Sequence, residues 1–579
     1  MFPFVLTRHY RPILSFHMEW WAFFLGLVLA ASWLACQARP VLSLSRPGLA
    51  LAGLAGLIVL HTLLTDPVYP AQGWLSMLYL VWAMLLMVVL GGLAEQQPRD
   101  EILVILAWAL LAGSAYNVLA SLVQASGIHA PLIDAFTSTG FGTLSVGLIG
   151  QRNNYADYLA IGLAATLYLQ LKNKLPWYAV LPLAALLTLG MALSASRSVW
   201  LYLAAMLALA LVWRYRADNP AGRRLVWYVL SLTAAFQAWQ LLIPVVFPVS
   251  GVQTANLRIL ESADEFPVRQ AMWEDAWRMF LAHPWLGVGH QNYAWNHLEL
   301  IRAGTSAFLD QPDRMELYRW THAHNIVLHL LAEFGLAVLP LLLAMGWWLG
   351  RFMARVVTLE QWFMAAALAV LSLHSLLEYP LWYANFLALF AIMLALADER
   401  PLRFAMPLGS LRRLGGLILL LGFALAGFAY LTNHALERAW ANARQPVRNP
   451  TTNADLGRDL DVAQMNPFLQ PITDSMFAQL PIPEGTPREL VEMKLRLNAN
   501  VIRFGGDATP YFHHTTLLWL AGRHQEAEAW LHQAERLFPG QFEPYLAIVE
   551  NSFSARPGMA AFLDMTRRVK ANRQPRQQE

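Results

Sequence analysis

Long apolar runs separated by short polar breaks fill most of this chain. A helix needs about 20 mainly apolar residues to cross a bilayer. Read on that length, the pattern predicts about twelve spans, over 20–36, 48–64, 74–93, 102–123, 154–170, 177–193, 198–213, 225–248, 326–349, 360–377, 380–397 and 414–431. Two stretches break the rhythm. Residues 249–325 are mixed, with Trp273, Trp277, Phe280 and Leu281 at helical spacing, which predicts an amphipathic helix lying on or near a membrane. Residues 433–579 return to the charge density of a soluble protein. The expected organisation is therefore membrane spans over 1–248, a long loop over 249–325, further spans over 326–432 and a helical domain over 433–579. The fold class is all-α, a polytopic helical membrane protein.

Within the tail, Leu517, Leu520, Ala521, Gly522, Ala527, Leu531, Ala534 and Pro539 follow a tetratricopeptide-like pattern over 506–539. Such a unit is a helix–turn–helix of about 34 residues. A plain helical hairpin with no binding role satisfies the same pattern. Residues 568–579 are polar and are expected to fray.

Composition agrees with the spans. Of 579 residues, 57% are hydrophobic and 14% charged, against about 25% charged in ordinary soluble domains; the mean hydropathy is +0.40. The net charge of +3 is too small to argue for nucleic acid. The single cysteine, Cys36, excludes intrachain disulfides and a cysteine metal cluster. No Walker or dinucleotide glycine pattern is present, nor a Gly-x-Ser-x-Gly elbow.

Basic residues orient the spans, because short cytoplasmic loops collect Lys and Arg. One alternating set of loops holds Arg39, Arg46, Arg99, Lys172, Lys174, Arg214, Arg216, Arg223, Arg224, Arg351, Arg355, Arg400, Arg403, Arg412 and Arg413, whereas the other set of short loops holds only Arg152 and Arg197. The first set is expected inside, which puts 249–325 and everything after 432 outside. Arg8 and Arg11 disagree, and a dip into the membrane by residues 1–18 or a misread early span would reconcile them.

Polar side chains at membrane depth cost several kcal/mol unless paired, and so mark candidate sites. At the outer edge of the ninth expected span, residues 321–333 contain His322, His324, Asn325 and, more than two turns deeper, Glu333. A histidine at that boundary can take a proton from a hydroxyl. Alternatively, Thr321 caps the helix and the histidines sit at the interface. The His-x-His spacing is too loose to specify a metal site. His374 and Glu378 are spaced i, i+4 ahead of Pro380, which reads either as a site or as a structural pair tying two spans, with Tyr379, Trp382 and Tyr383 suited to the lipid–water boundary. Arg152, Arg197 and Arg269 all fall on the expected outer side, against the charge bias. A guanidinium there snorkels to lipid headgroups or grips phosphate oxygens. Asn153 and Asn154 would add amide donors.

The segments Ile149-Gly-Gln-Arg-Asn-Asn (with Gln151 and Arg152), Arg269-Gln with Trp273 following, Thr-His-Ala-His-Asn-Ile-Val-Leu from Thr321, and His-Ser-Leu-Leu-Glu-Tyr-Pro-Leu-Trp-Tyr from His374 resemble the bacterial protein O-oligosaccharyltransferases of the PglL type. That family lies within the O-antigen ligase and polymerase superfamily. The resemblance covers roughly 100–400 and extends weakly into the tail. It implies an inner-membrane enzyme whose site and C-terminal domain face the periplasm. Its donor would be an oligosaccharide on undecaprenyl pyrophosphate, its acceptor a Ser or Thr hydroxyl of a pilin or other periplasmic protein, with membrane lipid around it and no cofactor or metal. The family's essential histidine maps to His324, with His322 second. Arg152, Arg197 and Arg269 would meet the leaving pyrophosphate, supported by Gln151, Asn153, Asn154, Asn325, Glu333, His374 and Glu378. Analogy with related ligases implies inversion at the anomeric carbon.

An O-antigen ligase using lipid A core, or a polymerase, shares this membrane core and differs in acceptor. A transporter or flippase predicts polar, Gly/Pro-broken spans near the midplane in two matching halves. Here the polar residues gather at the outer boundary and no duplicated half is evident. A non-enzymatic scaffold presenting the tail leaves the costly histidines and outward arginines unexplained.

Overall fold

The computed structural model describes residues 1–37, 41–65, 67–126, 128, 137, 146–217, 220–246, 254–260, 266–310, 321–445, 450–505 and 508–571. They are nearly all helical. The membrane part comprises α1 (Phe16–Cys36), α2 (Pro47–Leu64), α3 (Pro70–Ala94), α4 (Arg99–Ser126), α5 (Arg152–Leu171), α6 (Trp177–Leu193), α7 (Ser198–Ala217) and α8 (Pro220–Val246). The long segment adds α9 (Ala255–Leu260), α10 (Phe266–Ala282) and α11 (Tyr293–Arg302). Then come α12 (Ile326–Phe334), α13 (Leu339–Met353), α14 (Leu359–Ser375), α15 (Ala384–Ala397) and α16 (Leu408–Ala443).

Every expected span falls on one of these helices, the ninth on α12 and α13 together; residues 247–248 of the eighth lie outside the described residues. Among the described residues, eight helical segments are long and apolar enough to cross a membrane. The others have identifiable reasons for falling short. α6 and α15 are short apolar helices, α14 has 17 residues, and α5 carries Asn153, Asn154, Asp157 and Gln170. α5 is nevertheless the innermost helix, buried along almost its whole length and packed against α4, α6, α7 and α14. Its neighbours shield the polar groups that would be costly against lipid.

The break between α12 and α13 is made by the long segment. Gly335 (φ +60°) opens the chain there, and the turn 284–289 supplies hydrogen bonds in place of helical ones. Val288 N donates to Ala332 O (2.9 Å), Gly289 N to Glu333 O (3.0 Å), and Leu336 N to Pro284 O (2.7 Å). Gly287 (φ +69°) lies so close to the Glu333 backbone that a Cβ would meet it at 2.3 Å. The turn read in sequence from Gly287 and Gly289 is thus a docking element that locks the loop onto the head of α12.

A two-stranded antiparallel sheet, not expected from the sequence, pairs β1 (Val41–Leu44) with β2 (Leu402–Ala405). It joins the α1–α2 and α15–α16 connections at one end of the bundle. Arg99 donates there to Leu396 O and Asp398 O, and Lys172 pairs with Glu360 at 2.5 Å. This is the face that the charge pattern reads as inside. Residues at the N-terminus belong to the opposite face. Asn117 Nδ2 donates to Phe4 O (2.8 Å), Phe4 stacks on Tyr158 at 4.2 Å, and His9 Nε2 lies 2.8 Å from Leu148 O. The segment before α1 packs among α4, α5 and α15, which leaves Arg8 and Arg11 on the face opposite the sheet, against the charge bias.

The tail contains α17 (Pro450–Gln464), α18 (Gln470–Gln479), α19 (Arg488–Gly505), α20 (Ala508–Leu520), α21 (His524–Leu537), α22 (Pro539–Phe553) and α23 (Ala560–Ala571). α20 and α21 form the expected helix–turn–helix about Gly522 (φ +80°); residues 506–507 of that unit lie outside the described residues. Residues 568–571, expected to fray, instead complete α23, where Val569 is buried; 572–579 lie outside the described residues. The tail rests on the α2–α3 end of the bundle, with Tyr69 Oη donating to Asp474 Oδ2 (3.1 Å) and Gln72 Nε2 to Phe468 O (2.8 Å).

Two adjacent tail histidines predict acid sensitivity. Burial pushes His513 and His514 from the usual 6.5 down to about 4. Both are neutral when folded, and the unfolded chain takes up protons first. Stability is therefore full above pH 6.5 and is lost as pH falls from about 6.5 to 4, by at most roughly 3 kcal/mol per histidine at about 1.4 kcal/mol per pKa unit. Thermal melts of the detergent-solubilised protein at pH 7.5 and 4.5 should show the drop, and a His513→Gln, His514→Gln variant should lose most of it.

Candidate active site

The site is built at the face that carries the N-terminus and the tail. α4 holds the segment leading into α5. Gln124 Oε1 accepts from Val146 N (3.1 Å) and Gly147 N (3.0 Å), and Asn117 Oδ1 accepts from Leu148 N (2.8 Å). Gln151 then caps α5, its Oε1 accepting from Asn154 N (2.6 Å). This fixes Arg152 and Asn153 at the first turn, on the rim.

Asn153 is a bridge. Its Oδ1 accepts from Ser196 Oγ (2.8 Å) and its Nδ2 donates to Glu378 Oε1 (3.1 Å). Ser196 belongs to the tight turn between α6 and α7, where Ala195 sits at φ +50° and Arg258 of α9 donates to Ala195 O (3.1 Å). Arg197 follows directly. The first turns of α5 and α7 are thereby tied together, each with an arginine beside the tie.

Glu378 is the hub. Its i, i+4 spacing predicts a side-chain pair with His374, but in the fold the two side chains part. α14 ends at Ser375, and although Glu378 N still donates to His374 O (2.7 Å), the two side chains take different partners. His374 turns inward to a hydrogen bond between its Nδ1 and Asp157 Oδ2 of α5, with Tyr202 nearby at 6.5 Å between ring centres. Glu378 turns outward instead. Oε2 lies 2.8 Å from His324 Nδ1, and Oε1 accepts from Arg269 Nη2 of α10 (3.2 Å). Burial alone would raise this carboxyl. The His324 hydrogen bond, with the charges of His324 and Arg269, more than offsets it and holds Glu378 below the ordinary glutamate value. An ionised carboxylate can only accept, so it takes Nδ1–H from His324. In the neutral imidazole the lone pair then belongs to Nε2.

His324 is held by its backbone as well. It adopts φ +48°, a left-handed conformation that non-glycine residues rarely take, and Asn325 immediately caps α12 through Oδ1, accepting from Val327 N and Leu328 N at 3.1 Å each. The Thr321 cap considered in sequence is therefore taken by Asn325. His322 sits behind His324, 4.6 Å between ring centres, with its ring 3.6 Å from that of Tyr379. Burial and the neighbouring histidines keep His322 well below the usual imidazole value. Tyr379 and Tyr383 stack at 6.1 Å and so line the site rather than only the lipid boundary; Trp382 remains 42% exposed.

Glu333 lies apart from this hub. Its Oε1 accepts from Gln291 N (2.7 Å) and its Oε2 lies 2.9 Å from His290 Nδ1, so it fastens the docking turn to α12. Of the sequence-nominated residues, the structure brings Asn153, Arg269, His324 and Glu378 into direct contact, sets Arg152, Arg197 and His322 beside them, gives Gln151 and Asn325 capping roles, and separates Glu333 and His374. Sequence reasoning missed Asp157, Ser196 and Arg258. Asp157 had a signal, an acid inside an apolar span; Ser196 and Arg258 had none, because their roles depend on the packing of distant helices.

On α10 the amphipathic expectation meets a divided surface. Met272, Ala276 and Met279 are buried while Trp277 and Leu281 are 45% and 58% exposed. The exposed apolar side continues through Trp285, 74% exposed.

Comparison with known proteins covers this same region. Residues 182–343 match the family described as O-antigen ligase, and residues 362–550 match the C-terminal region of virulence-factor membrane-bound polymerases. A general O-oligosaccharyltransferase of Acinetobacter baylyi (strain ATCC 33305 / BD413 / ADP1) is 29% identical over 246 residues, 41% of this chain and 40% of that protein. The match thus spans about two-fifths of the relative's length. No solved structure matches the chain. The matches support the O-antigen ligase superfamily and the PglL-type resemblance carried by the motifs.

Proposed function

We propose that this membrane protein, with an O-antigen ligase region at its centre, is an O-oligosaccharyltransferase. It moves an oligosaccharide from undecaprenyl pyrophosphate to a Ser or Thr hydroxyl of a periplasmic protein such as a pilin, at the outer face of the inner membrane. The observation that carries this reading is the Glu378 hub, which fixes His324 Nδ1 and Arg269 on one carboxylate beside the arginines of α5 and the α6–α7 turn.

In this mechanism His324 Nε2 takes the proton of the acceptor hydroxyl as its oxygen attacks the anomeric carbon. The bond from that carbon to the pyrophosphate oxygen breaks, and the electron pair leaves with the undecaprenyl pyrophosphate. Arg152, Arg197 and Arg269 offset the charge that develops on the leaving group. Glu378 stabilises the imidazolium formed in the step. No resident metal enters the scheme. The boundaries 1–248, 249–325, 326–432 and 433–579 then separate donor-binding spans, a loop bearing Arg269 and His324, closing spans and an acceptor-side domain.

A lipid A core acceptor would make the same site an O-antigen ligase. Reconstitution in liposomes with a polyprenyl-pyrophosphate glycan, excess chelator and either a pilin or lipid A core separates the two. Transfer to the pilin, undiminished by chelator, is expected; transfer only to lipid A core would replace the acceptor assignment.

A further inference from the structure

A cavity of about 370 Å³ lies where the tail meets the bundle. α1, α3 and α16 form its sides through Trp20, Leu75, Leu425 and Ala429, and Phe23 and Trp82 meet at its deep end, with ring centres 5.9 Å apart. The tail is its roof, through Phe468, Pro471, Ile472 and Phe504. Between Gln72 under the roof and Trp82 at the deep end, α3 rises about 15 Å at 1.5 Å per residue. That is half of a hydrocarbon core about 30 Å thick. The cavity therefore runs the depth of one leaflet, the one on the tail's side.

The polar side chains of its walls are already paired. Glu19 Oε2 accepts from Tyr79 Oη (2.7 Å), Gln72 Nε2 donates to Phe468 O (2.8 Å), Trp20 Nε1 to Ala426 O (2.8 Å) and Asn466 Nδ2 to Thr432 Oγ1 (2.9 Å). Trp82 turns its Nε1 away to α1, where a Cβ on Gly26 would stand 2.6 Å from it. The walls thus ask no hydrogen bond of an occupant and offer it apolar contact. Water needs two to four polar partners and does not fill such a space. Left empty, the space forfeits the contacts of the atoms that line it. A hydrocarbon chain meets both conditions. α1 packs on both α3 and α16, and α16, the least buried span among the described residues, presents Leu420, Leu421 and Leu431 to lipid. Lipid thus borders the gap between α3 and α16.

We propose that one acyl chain of a phospholipid in the tail-side leaflet enters between α3 and α16 and fills this cavity, so that the tail docks on the bundle through a lipid as well as through Tyr69 and Gln72. A polyprenyl chain shares the chemistry but is much longer than one leaflet is thick, whereas the Phe23–Trp82 contact ends the cavity at that depth. The site uses none of the residues of the transfer reaction and stands apart from the transferase reading.

The test irradiates the full-length protein in nanodiscs that contain a phosphatidylethanolamine with a diazirine at the end of one acyl chain, and maps the labelled residues. Labelling is expected at Phe23, Trp82 and their neighbours. Ala429→Trp puts an indole into the cavity and should lower that labelling by at least about tenfold, since the loss of two buried methylenes already amounts to that factor. Leu75→Trp fills the cavity from the opposite helix and should do the same if the first variant does not fold, with melting temperature as the check on both. Stripping the phospholipid with detergent should speed hydrogen exchange at residues 466–472 of the parent by at least about tenfold, and that of the tryptophan variant, whose indole replaces the chain, by less than about threefold. No labelling at the deep end, or labelling that neither tryptophan lowers, overturns the proposal. Exchange at 466–472 that ignores the phospholipid overturns the role in docking. Labelling abolished by a trace of undecaprenyl phosphate assigns the cavity to a polyprenyl chain and overturns the phospholipid assignment.

Discussion

Replacing His324 by alanine is expected to lower glycan transfer by about 10²–10⁴-fold, the usual contribution of a positioned general base, while the protein still inserts and binds donor. The size follows from the geometry. His324 is oriented twice, through its Nδ1 on Glu378 at 2.8 Å and through a backbone at φ +48° between buried Ala323 and the Asn325 cap. His322 cannot substitute, being buried against Tyr379 and held in its neutral form well below the usual imidazole range. Quantifying glycosylated pilin in cells lacking the native gene, beside donor affinity in nanodiscs, separates chemistry from binding. Wild-type transfer by the variant would remove the proposed base.

The second large effect is expected from Arg152→Ala combined with Arg197→Ala. A group that meets charge developing in a transition state contributes about 10²–10³-fold, so the pair should lower kcat/KM for the donor by at least that factor while leaving KM for the acceptor within about threefold. The two arginines act from α5 and from the α6–α7 turn, which Asn153 and Ser196 join at 2.8 Å. Each single variant should therefore retain part of the effect. Equal losses for donor and acceptor would assign these arginines to structure rather than to the pyrophosphate.

The spans were legible because hydropathy reports the lipid boundary directly, and even buried α5 kept enough apolar residues to be found. The division of the ninth span at Gly335 was not, because the turn 284–289 that causes it is distant in sequence and recognises backbone atoms. The nomination of His324, Arg269, Asn153 and Glu378 as separate candidates was readable from polar residues at the outer boundary. That one carboxylate collects the other three was not, since Glu378 reaches them only after α14 stops short at Ser375. His374, expected to pair with Glu378, instead meets Asp157 across the bundle on α5.

The most direct measurement is a cryo-electron microscopy structure of the full chain in nanodiscs with a non-cleavable phosphonate analogue of a polyprenyl-pyrophosphate sugar. The account predicts phosphate oxygens within about 3.5 Å of the Arg152, Arg197 and Arg269 guanidiniums. It also predicts an anomeric carbon about 6 Å from His324 Nε2, which leaves room for one hydroxyl oxygen between them. An analogue seated elsewhere, with those three guanidiniums turned from its phosphates and His324 far from its sugar, would contradict it.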